Sequence, residues 1–354
     1  MSNTNLNKAK RAKNDEFYTQ LDDIEKEMQA YLEYDPDVFR DKTVLLPCDD
    51  PNWSNFTKYF ALNFETLGLK KLISTSYAAD GGHGKVFVLD GENELQWEYL
   101  TGDGDFRSTE VTALRDEADI VITNPPFSLF REFMVWLSEG NVLFSVIGNM
   151  NAITYKEIFP LIKDNKIWIG ATNFNTGMYF RVPDSFEYAS SYKFDRERDG
   201  VKVSRVPGVC WFTNIEHGRR HHEPLRLMSM KENQKYNKRI INNANSYKKY
   251  DNYDAIEVPV TAGIPNDYTD VMGVPISFLD KYCPEQFEIV GNSAELAQSF
   301  YIDGKKKSSR FYVEGKRLYD RIAIRHINSA EQDVQLAQVH TLETTTPAPQ
   351  QMAA

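Results

Sequence analysis

The tetrad Asn124-Pro125-Pro126-Phe127, placed directly after the β-branched run 119–123, carries the sharpest chemistry in this sequence. An exocyclic amine such as that of adenine is a poor nucleophile, because its lone pair is delocalised into the ring. Alkylating it calls for acceptors that hold both N–H groups while the nitrogen turns pyramidal. The Asn124 side-chain oxygen and the Pro125 carbonyl can supply two. Successive prolines fix φ and keep that carbonyl turned into a pocket, and Phe127 offers a ring on which a planar base can stack. No metal is needed. The competing reading is a Pro-Pro turn that only ends a buried strand. Such a tetrad arises by chance in roughly one chain of this length in a hundred, so its surroundings matter.

A methyl donor must lie near this loop, and in an open α/β sheet the ligand crevice sits at the carboxyl ends of the strands. Three further turns belong there: Phe17-Tyr18-Thr19-Gln20 before the first helix, Cys48-Asp49-Asp50-Pro51 after the first strand, and Asp103-Gly104-Asp105-Phe106 before the strand that leads to Asn124. Acidic side chains suit the ribose hydroxyls, the amino group and the adenine amine of S-adenosylmethionine. Phe106 is expected to cover its purine. The donor-binding candidates are therefore Phe17, Tyr18, Thr19, Cys48, Asp49, Asp50, Asp103, Asp105 and Phe106. Taken singly, an Asp-rich turn is more often a helix cap.

These turns need elements to position them. Leu21, Ile24, Met28, Tyr31 and Leu32 recur at threes and fours, predicting a helix capped by Thr19 or Asp22. Residues 43–46 read as a strand, 54–67 as a helix with Phe56, Tyr59, Phe60 and Phe64 on one side, and 71–76 as a second strand. Residues 85–90 and 95–100 read as a hairpin beside the main sheet. Residues 129–137 are helical and 141–147 form another buried strand. This alternation predicts an α/β fold, a Rossmann-like doubly wound domain with a mostly parallel sheet.

After about residue 165 the alternation fades, and short aromatic strands such as 177–182 and 209–213 alternate with basic loops. The expected organisation is a basic flexible arm over 1–14, a donor-binding catalytic domain over 15–165, a mixed α+β target-recognition region over 166–327 and a disordered tail over 328–354. Net charge is -10, yet the positive charge is segregated. The arm holds Lys8, Lys10, Arg11 and Lys13 with no acid; residues 205–250 and 305–325 carry further basic excess. Phosphate contact is the commonest use of such a face, and Arg219, Arg220, Lys248, Lys249, Lys305, Lys306 and Lys307 are its candidate residues. A solvated loop region is the alternative.

Two other patterns receive structural readings. Gly81-Gly82-His83-Gly84 lacks the following Lys-Ser/Thr of a phosphate loop and reads as a connector. His217, His221, His222 and Glu223 contain metal-ligand types, but Arg219 and Arg220 among them would repel a cation, so a basic loop is favoured over a metal site.

The chain resembles the EcoRI-type adenine-specific DNA methyltransferases. The similarity lies in NDEFYTQ at 14–20, CDDPNWSNF at 48–56, NPPF at 124–127, NYDAIEVP at 252–259 and VMGVPISFLDKY at 271–282, and runs from about 15 to 325. It implies that Asn124, Pro125 and Phe127 form the catalytic pocket, that Asp49, Asp50, Asp105 and Phe106 border the donor, and that the source is a bacterium or phage. Two departures stand out. CDDP replaces the glycine-rich turn usual after the first strand, and the second strand ends Thr75-Ser76-Tyr77 with no acid.

Three widely spaced cysteines argue against a disulfide framework and fit a reducing cytoplasm. No apolar run suits a signal peptide or a membrane span. The expectation is therefore a cytoplasmic enzyme that uses S-adenosylmethionine to methylate adenine N6 in double-stranded DNA, with a cognate restriction endonuclease as a possible genetic partner. The alternatives are methylation of RNA or of a protein glutamine, or a non-catalytic DNA-binding protein on the same fold.

Overall fold

The structure, a computed structural model, describes residues 18–91, 93–221, 224–307 and 309–327. The arm 1–14, Phe17, His222, Glu223 and the tail 328–354 lie outside the described residues. The chain divides into two compact units between His221 and His222.

In the first unit, β1 (Tyr18–Thr19) leads into helix α1 (Leu21–Tyr34). Ile24, Met28 and Tyr31 are fully buried, as their spacing predicts. Neither Thr19 nor Asp22 caps α1: the N-cap is Gln20, without a side-chain capping bond. Thr19 is instead drawn into a strand, paired with Phe180. The sheet strands follow as β2 (Thr43–Leu46), β3 (Lys71–Thr75), β4 (Lys85–Asp90), β5 (Asn93–Tyr99), β6 (Ile120–Thr123), β7 (Leu143–Asn149) and β8 (Trp168–Ile169). Helices α2 (Asn55–Leu62), α3 (Phe64–Leu67), α4 (Thr109–Glu117), α5 (Phe130–Gly140) and α6 (Phe159–Lys163) lie between them along the chain. A small sheet follows, β9 (Met178–Arg181), β10 (Glu197–Arg198) and β11 (Val201–Val206), with β1 at its other edge, and β12 (Val209–Thr213) returns to the main sheet.

The main sheet has the order β5-β4-β3-β2-β6-β7-β12-β8. Its centre, β3-β2-β6-β7, is parallel, and the flanking strands are antiparallel. The hairpin 85–99 is thus part of this sheet, paired through β4 to β3. Every residue of β2 and β6 is buried, as strands covered on both faces must be. Adjacent residues of β12 show the two faces: Trp211 meets Phe56 of α2 edge-on at 6.0 Å, while Phe212 meets Phe130 of α5 at 5.3 Å.

The expected domain boundary near 165 moves to 221. Val209–Thr213 is buried throughout and forms hydrogen-bonded pairs with β7, from Val209↔Asn149 to Thr213↔Ser145. A strand whose ladder and apolar faces are satisfied in the first sheet belongs to that unit.

The second unit holds β13 (Lys249–Tyr250), β14 (Tyr253–Glu257), β15 (Met272–Pro275) and β16 (Phe287–Asn292), then the hairpin strands β17 (Phe300–Ile302), β18 (Lys305–Lys307), β19 (Tyr312–Val313) and β20 (Lys316–Arg317), and last β21 (Arg321–His326); its mixed sheet is ordered β13-β14-β15-β21-β16. Short helices α7 (Met230–Tyr236), α8 (Lys238–Ile241) and α9 (Ser293–Leu296) accompany it. Arg321 and the buried Glu257 form an ion pair at 2.7 Å, and the Tyr250 hydroxyl donates to Glu257 at 2.6 Å. No helix among the described residues is long and apolar enough to cross a membrane.

Candidate active site

Strand β2 has β3 on one side and β6 on the other, so the chain direction of successive connections reverses between β2 and β6. Loops diverge at such a switch point and leave a crevice beyond the carboxyl ends of the strands. A cavity of about 430 Å³ lies there. Its walls include Cys48, Asp49 and Asp50 after β2, Ser76 and Tyr77 after β3, Asn124 and Pro126 after β6, and Tyr18 and Thr19 of β1. Three turns and strand β1, far apart in sequence, thus converge on one pocket.

Asp49 is the joint between them. Ser54 Oγ donates to its Oδ1 at 2.7 Å and Thr123 Oγ1 to its Oδ2 at 2.6 Å. Its carbonyl accepts from Ser74 Oγ at 2.7 Å, and its N–H donates to the Thr75 carbonyl at 3.0 Å. One side chain thereby ties β2 to the start of α2 and to the residue before Asn124. Burial pushes its carboxyl up to about 6, against the two hydroxyl hydrogen bonds that favour the ionised form. Ser54 also accepts from the Phe56 N–H at 3.1 Å and so caps α2.

The neighbouring acids are held differently. Asp50 pairs with Lys85 at 3.0 Å. Asp105 receives Arg107 on both oxygens, at 2.9 and 2.6 Å, and those hydrogen bonds hold its carboxyl below the usual range. Asp103 is not among the pocket-lining residues: its carboxylate accepts the Asp105 N–H at 3.0 Å and its carbonyl the Ala78 N–H at 2.7 Å, so it builds the turn. Phe106 reaches the pocket wall but is 4% exposed, packed against Phe133 at 4.9 Å and Trp136 at 5.6 Å. Most of its ring surface is therefore already covered. The Cys48 thiol is pushed well up, chiefly by burial, and is a poor nucleophile.

Glycine makes this wall possible. Gly104 has φ +83, and a Cβ there would lie 2.1 Å from the Ser76 carbonyl oxygen; one on Gly84 would lie 2.6 Å from the same oxygen and 2.8 Å from Gly104 Cα. The last residue of the Gly81–Gly84 connector thus lets three backbone segments touch beneath the pocket.

After β6, Pro125 is buried and Asn124 half-buried. The Pro126 carbonyl accepts from the Leu129 N–H at 2.9 Å, which starts a short 3-10 turn over Phe127–Leu129. The Phe127 ring meets Phe180 edge-on at 6.3 Å and packs on the main core; Phe127 is not among the pocket-lining residues.

Sequence reasoning missed Trp53, Tyr77, Asn55, Ser76, Arg107 and Leu129 in the lining. Trp53, 44% exposed, meets Tyr18 edge-on at 4.2 Å. Asn55 Nδ2 donates to the Thr19 carbonyl at 2.8 Å and fastens β1 to α2. Trp53 and Asn55 stand three and five residues after Asp50, close enough to have been drawn in with that turn.

The candidate phosphate-contacting residues are scattered. Arg220 is 6% exposed; it stacks on Trp168 at 3.6 Å and pairs with Glu216 at 3.2 Å. Arg219 donates to the Ala171 carbonyl at 2.5 Å. His217 turns inward to the Ile169 carbonyl at 3.0 Å, and burial brings it down to about 4. His221 stacks on Tyr34. In the second unit Lys248 pairs with Glu314 at 2.5 Å and Lys249 with Asp254 at 2.9 Å. Lys305 and Lys306 are exposed and Lys307 half-buried on a hairpin.

Comparison with known proteins supplies the family. The family described as adenine-specific methyltransferase EcoRI matches residues 5–327. The Type II methyltransferase M.EcoRI of Escherichia coli is 42% identical over 339 residues, covering 90% of this chain and 98% of that protein. M.MpnI of Mycoplasma pneumoniae is 37% identical over 329 residues, covering 90% and 97%, and M.MgeORF184P of Mycoplasma genitalium is 37% identical over 330 residues, covering 90% and 98%. No solved structure matches the chain. A family match over nearly the whole chain, with relatives of this identity and coverage, makes this protein a member of the EcoRI family of adenine-specific methyltransferases, a site-specific DNA methyltransferase.

Proposed function

We propose that the protein methylates N6 of an adenine flipped out of duplex DNA, with S-adenosylmethionine as donor and the Asn124–Phe127 turn as the catalytic element. The observation that carries this reading is the convergence of that turn with the turns after β2 and β3 on one cavity. A cavity of about 430 Å³ is within the range that holds a cofactor-sized ligand. Thr19 fits as well: it lines the pocket, and its buried hydroxyl has no hydrogen-bond partner among the described residues. Tyr18, Trp53 and Tyr77 offer aromatic surface for a purine, and Asp49 and Asp50 negative charge for a cationic donor. When bound, the donor supplies an electrophilic methyl carbon.

The protein's part is positioning. Asn124 and the Pro125 carbonyl accept the two amine N–H groups and favour the pyramidal nitrogen, an electrostatic contribution made where charge develops. Holding amine and methyl carbon in line removes the entropic cost of their encounter. Flipping the base costs a few kcal/mol, offset by stacking and hydrogen bonds in the pocket. Phe127 lies behind the cavity lining, packed edge-on against Phe180, and in this reading braces the turn that carries the two acceptors. Residues 18–221 act as the catalytic unit and 224–327 as the target-recognition unit. The relatives are named Type II methyltransferases, and a restriction endonuclease of the same site is the genetic partner this reading expects.

The test is incubation with duplex DNA and methyl-labelled S-adenosylmethionine, followed by nucleoside digestion and mass spectrometry. The label should appear as N6-methyladenine. Label on cytosine, on RNA only, or on neither would overturn the reading.

A further inference from the structure

Two short hairpins succeed one another in the second unit. Strands β17 (Phe300–Ile302) and β18 (Lys305–Lys307) are joined by Asp303-Gly304, and β19 (Tyr312–Val313) and β20 (Lys316–Arg317) by Glu314-Gly315. Both turn residues are left-handed in each case, at φ 49 and 72 in the first hairpin and 49 and 74 in the second. Two positive φ values are what a type I′ connection requires, and its twist matches that of the flanking strands. Local chemistry therefore specifies two twisted ribbons.

Strand alternation decides what the first ribbon presents. Its register is Phe300↔Lys307, Tyr301↔Lys306 and Ile302↔Lys305. Phe300 and Ile302 share one face and are half-buried, the Phe300 ring meeting Tyr312 at 5.0 Å. Tyr301 and Lys306 stand opposite one another on the other face. Tyr301 is 70% exposed and Lys306 is exposed.

The charges divide in the same way. Arg310 pairs with Asp320 at 2.6 Å, Arg321 with Glu257 at 2.7 Å and Arg325 with Glu288 at 2.6 Å. The other cations between 305 and 325 are Lys305, Lys306, Lys307, Lys316 and Arg317. All five lie on hairpin strands and form no ion pair among the described residues. Lysines that only blunt a sheet edge would serve for solubility, but that role does not call for a large aromatic on the same exposed face.

We propose that the β17–β18 ribbon enters the major groove of duplex DNA and reads the target sequence with its Tyr301–Lys306 face, while Lys305 beside the turn and Lys316 and Arg317 of the next hairpin hold phosphates. This rests on duplex DNA being the substrate, as proposed above. The groove, about 12 Å wide, admits a two-stranded ribbon, and strands lie about 4.8 Å apart. Lys306 can donate to the O6 and N7 acceptors of guanine, and the Tyr301 hydroxyl can donate or accept at a base edge. The ring gives apolar contact for a thymine methyl.

The test uses the full chain with its donor. The methylated site is first located by sequencing DNA that the parent protein has modified. Binding is then measured across salt concentrations, on that site and on duplexes with single base-pair changes, for the parent, Tyr301→Ala, Lys306→Gln and the double variant Lys316→Gln/Arg317→Gln. Circular dichroism confirms that each variant folds. Tyr301→Ala and Lys306→Gln should each lower discrimination at one or two base pairs by about tenfold. The double variant should weaken all duplexes alike and reduce the salt slope by about 0.9 per lost phosphate contact. If Tyr301→Ala and Lys306→Gln both keep the parent's discrimination, or weaken every sequence equally, the ribbon does not read bases. Failure of the parent to methylate duplex DNA would instead remove the substrate assignment beneath the proposal.

Discussion

The pocket of the first unit and the hairpins of the second treat charge in opposite ways. In the pocket each acid has a fixed partner: Asp49 has Ser54 and Thr123, Asp50 has Lys85, and Asp105 has Arg107. On the hairpins Lys305, Lys306, Lys316 and Arg317 stand exposed without ion pairs among the described residues. A site that stabilises developing charge gains from groups that need no rearrangement at the moment of reaction. A surface that meets phosphates gains from charge that is not already neutralised. Pre-organisation and availability are different requirements, and the proposed roles assign them to different units.

The contrast breaks most sharply at Asn124. Asn124→Ala should lower turnover by at least about a hundredfold, in line with the loss of one pre-organised group, and leave donor affinity within a few-fold. Single-turnover methylation beside calorimetric donor binding checks both halves. Turnover above a tenth of the parent's would take Asn124 out of the reaction.

Gly104→Ala comes next. It adds a Cβ 2.1 Å from a carbonyl oxygen at φ +83, so the Asp103–Phe106 turn must move. Donor affinity should fall by more than about tenfold while DNA binding, governed chiefly by phosphates, stays near normal. Unchanged donor affinity would show that this wall is not pre-organised by backbone contact.

Asp49 sharpens the comparison through pH. Its folded value, about 6, lies above the ordinary 3.8, so the folded state holds this proton more tightly than the unfolded chain. Stability from this group therefore falls as pH rises from about 4 to 6, and above pH 6 the ionised carboxylate costs up to about 3 kcal/mol. Asp49→Asn should melt higher than the parent at pH 8 and equally at pH 4. A cationic donor favours the ionised form, so the parent's donor affinity should rise several-fold between pH 5 and 7 and that of Asp49→Asn should not. Parallel profiles would deny Asp49 any electrostatic part in donor binding.

The smallest effect belongs to Lys248 and Lys249, which already have Glu314 and Asp254 as partners. Lys248→Gln/Lys249→Gln should change the salt slope of DNA binding less than replacement of Lys305 and Lys306 does. A larger change would mean that paired lysines, too, reach phosphates.

Some of this was written locally. The strand before Asn124 was legible because Ile120, Val121, Ile122 and Thr123 form a β-branched run ended by prolines, and α1 was legible because its apolar residues recur at threes and fours. Residue type at a turn also suggested the candidate chemistry: two acceptors and a ring at 124–127, acids at 49, 50 and 105. These signals depend on backbone sterics and side-chain periodicity within a few residues, so they survive without knowledge of the fold.

What the fold alone decided involves partners distant in sequence. That Val209–Thr213 closes the first sheet follows from its pairing with residues 145–149, and the boundary moved to 221 with it. Arg220 has the residue type of a phosphate contact but a place over the Trp168 ring. Asp49 joins segments at 54, 74–75 and 123, and no local window contains that set. Composition states which charges a chain carries; whether a charge is neutralised or available is set by which distant groups the sheet brings within hydrogen-bond range, and that is a property of the folded chain.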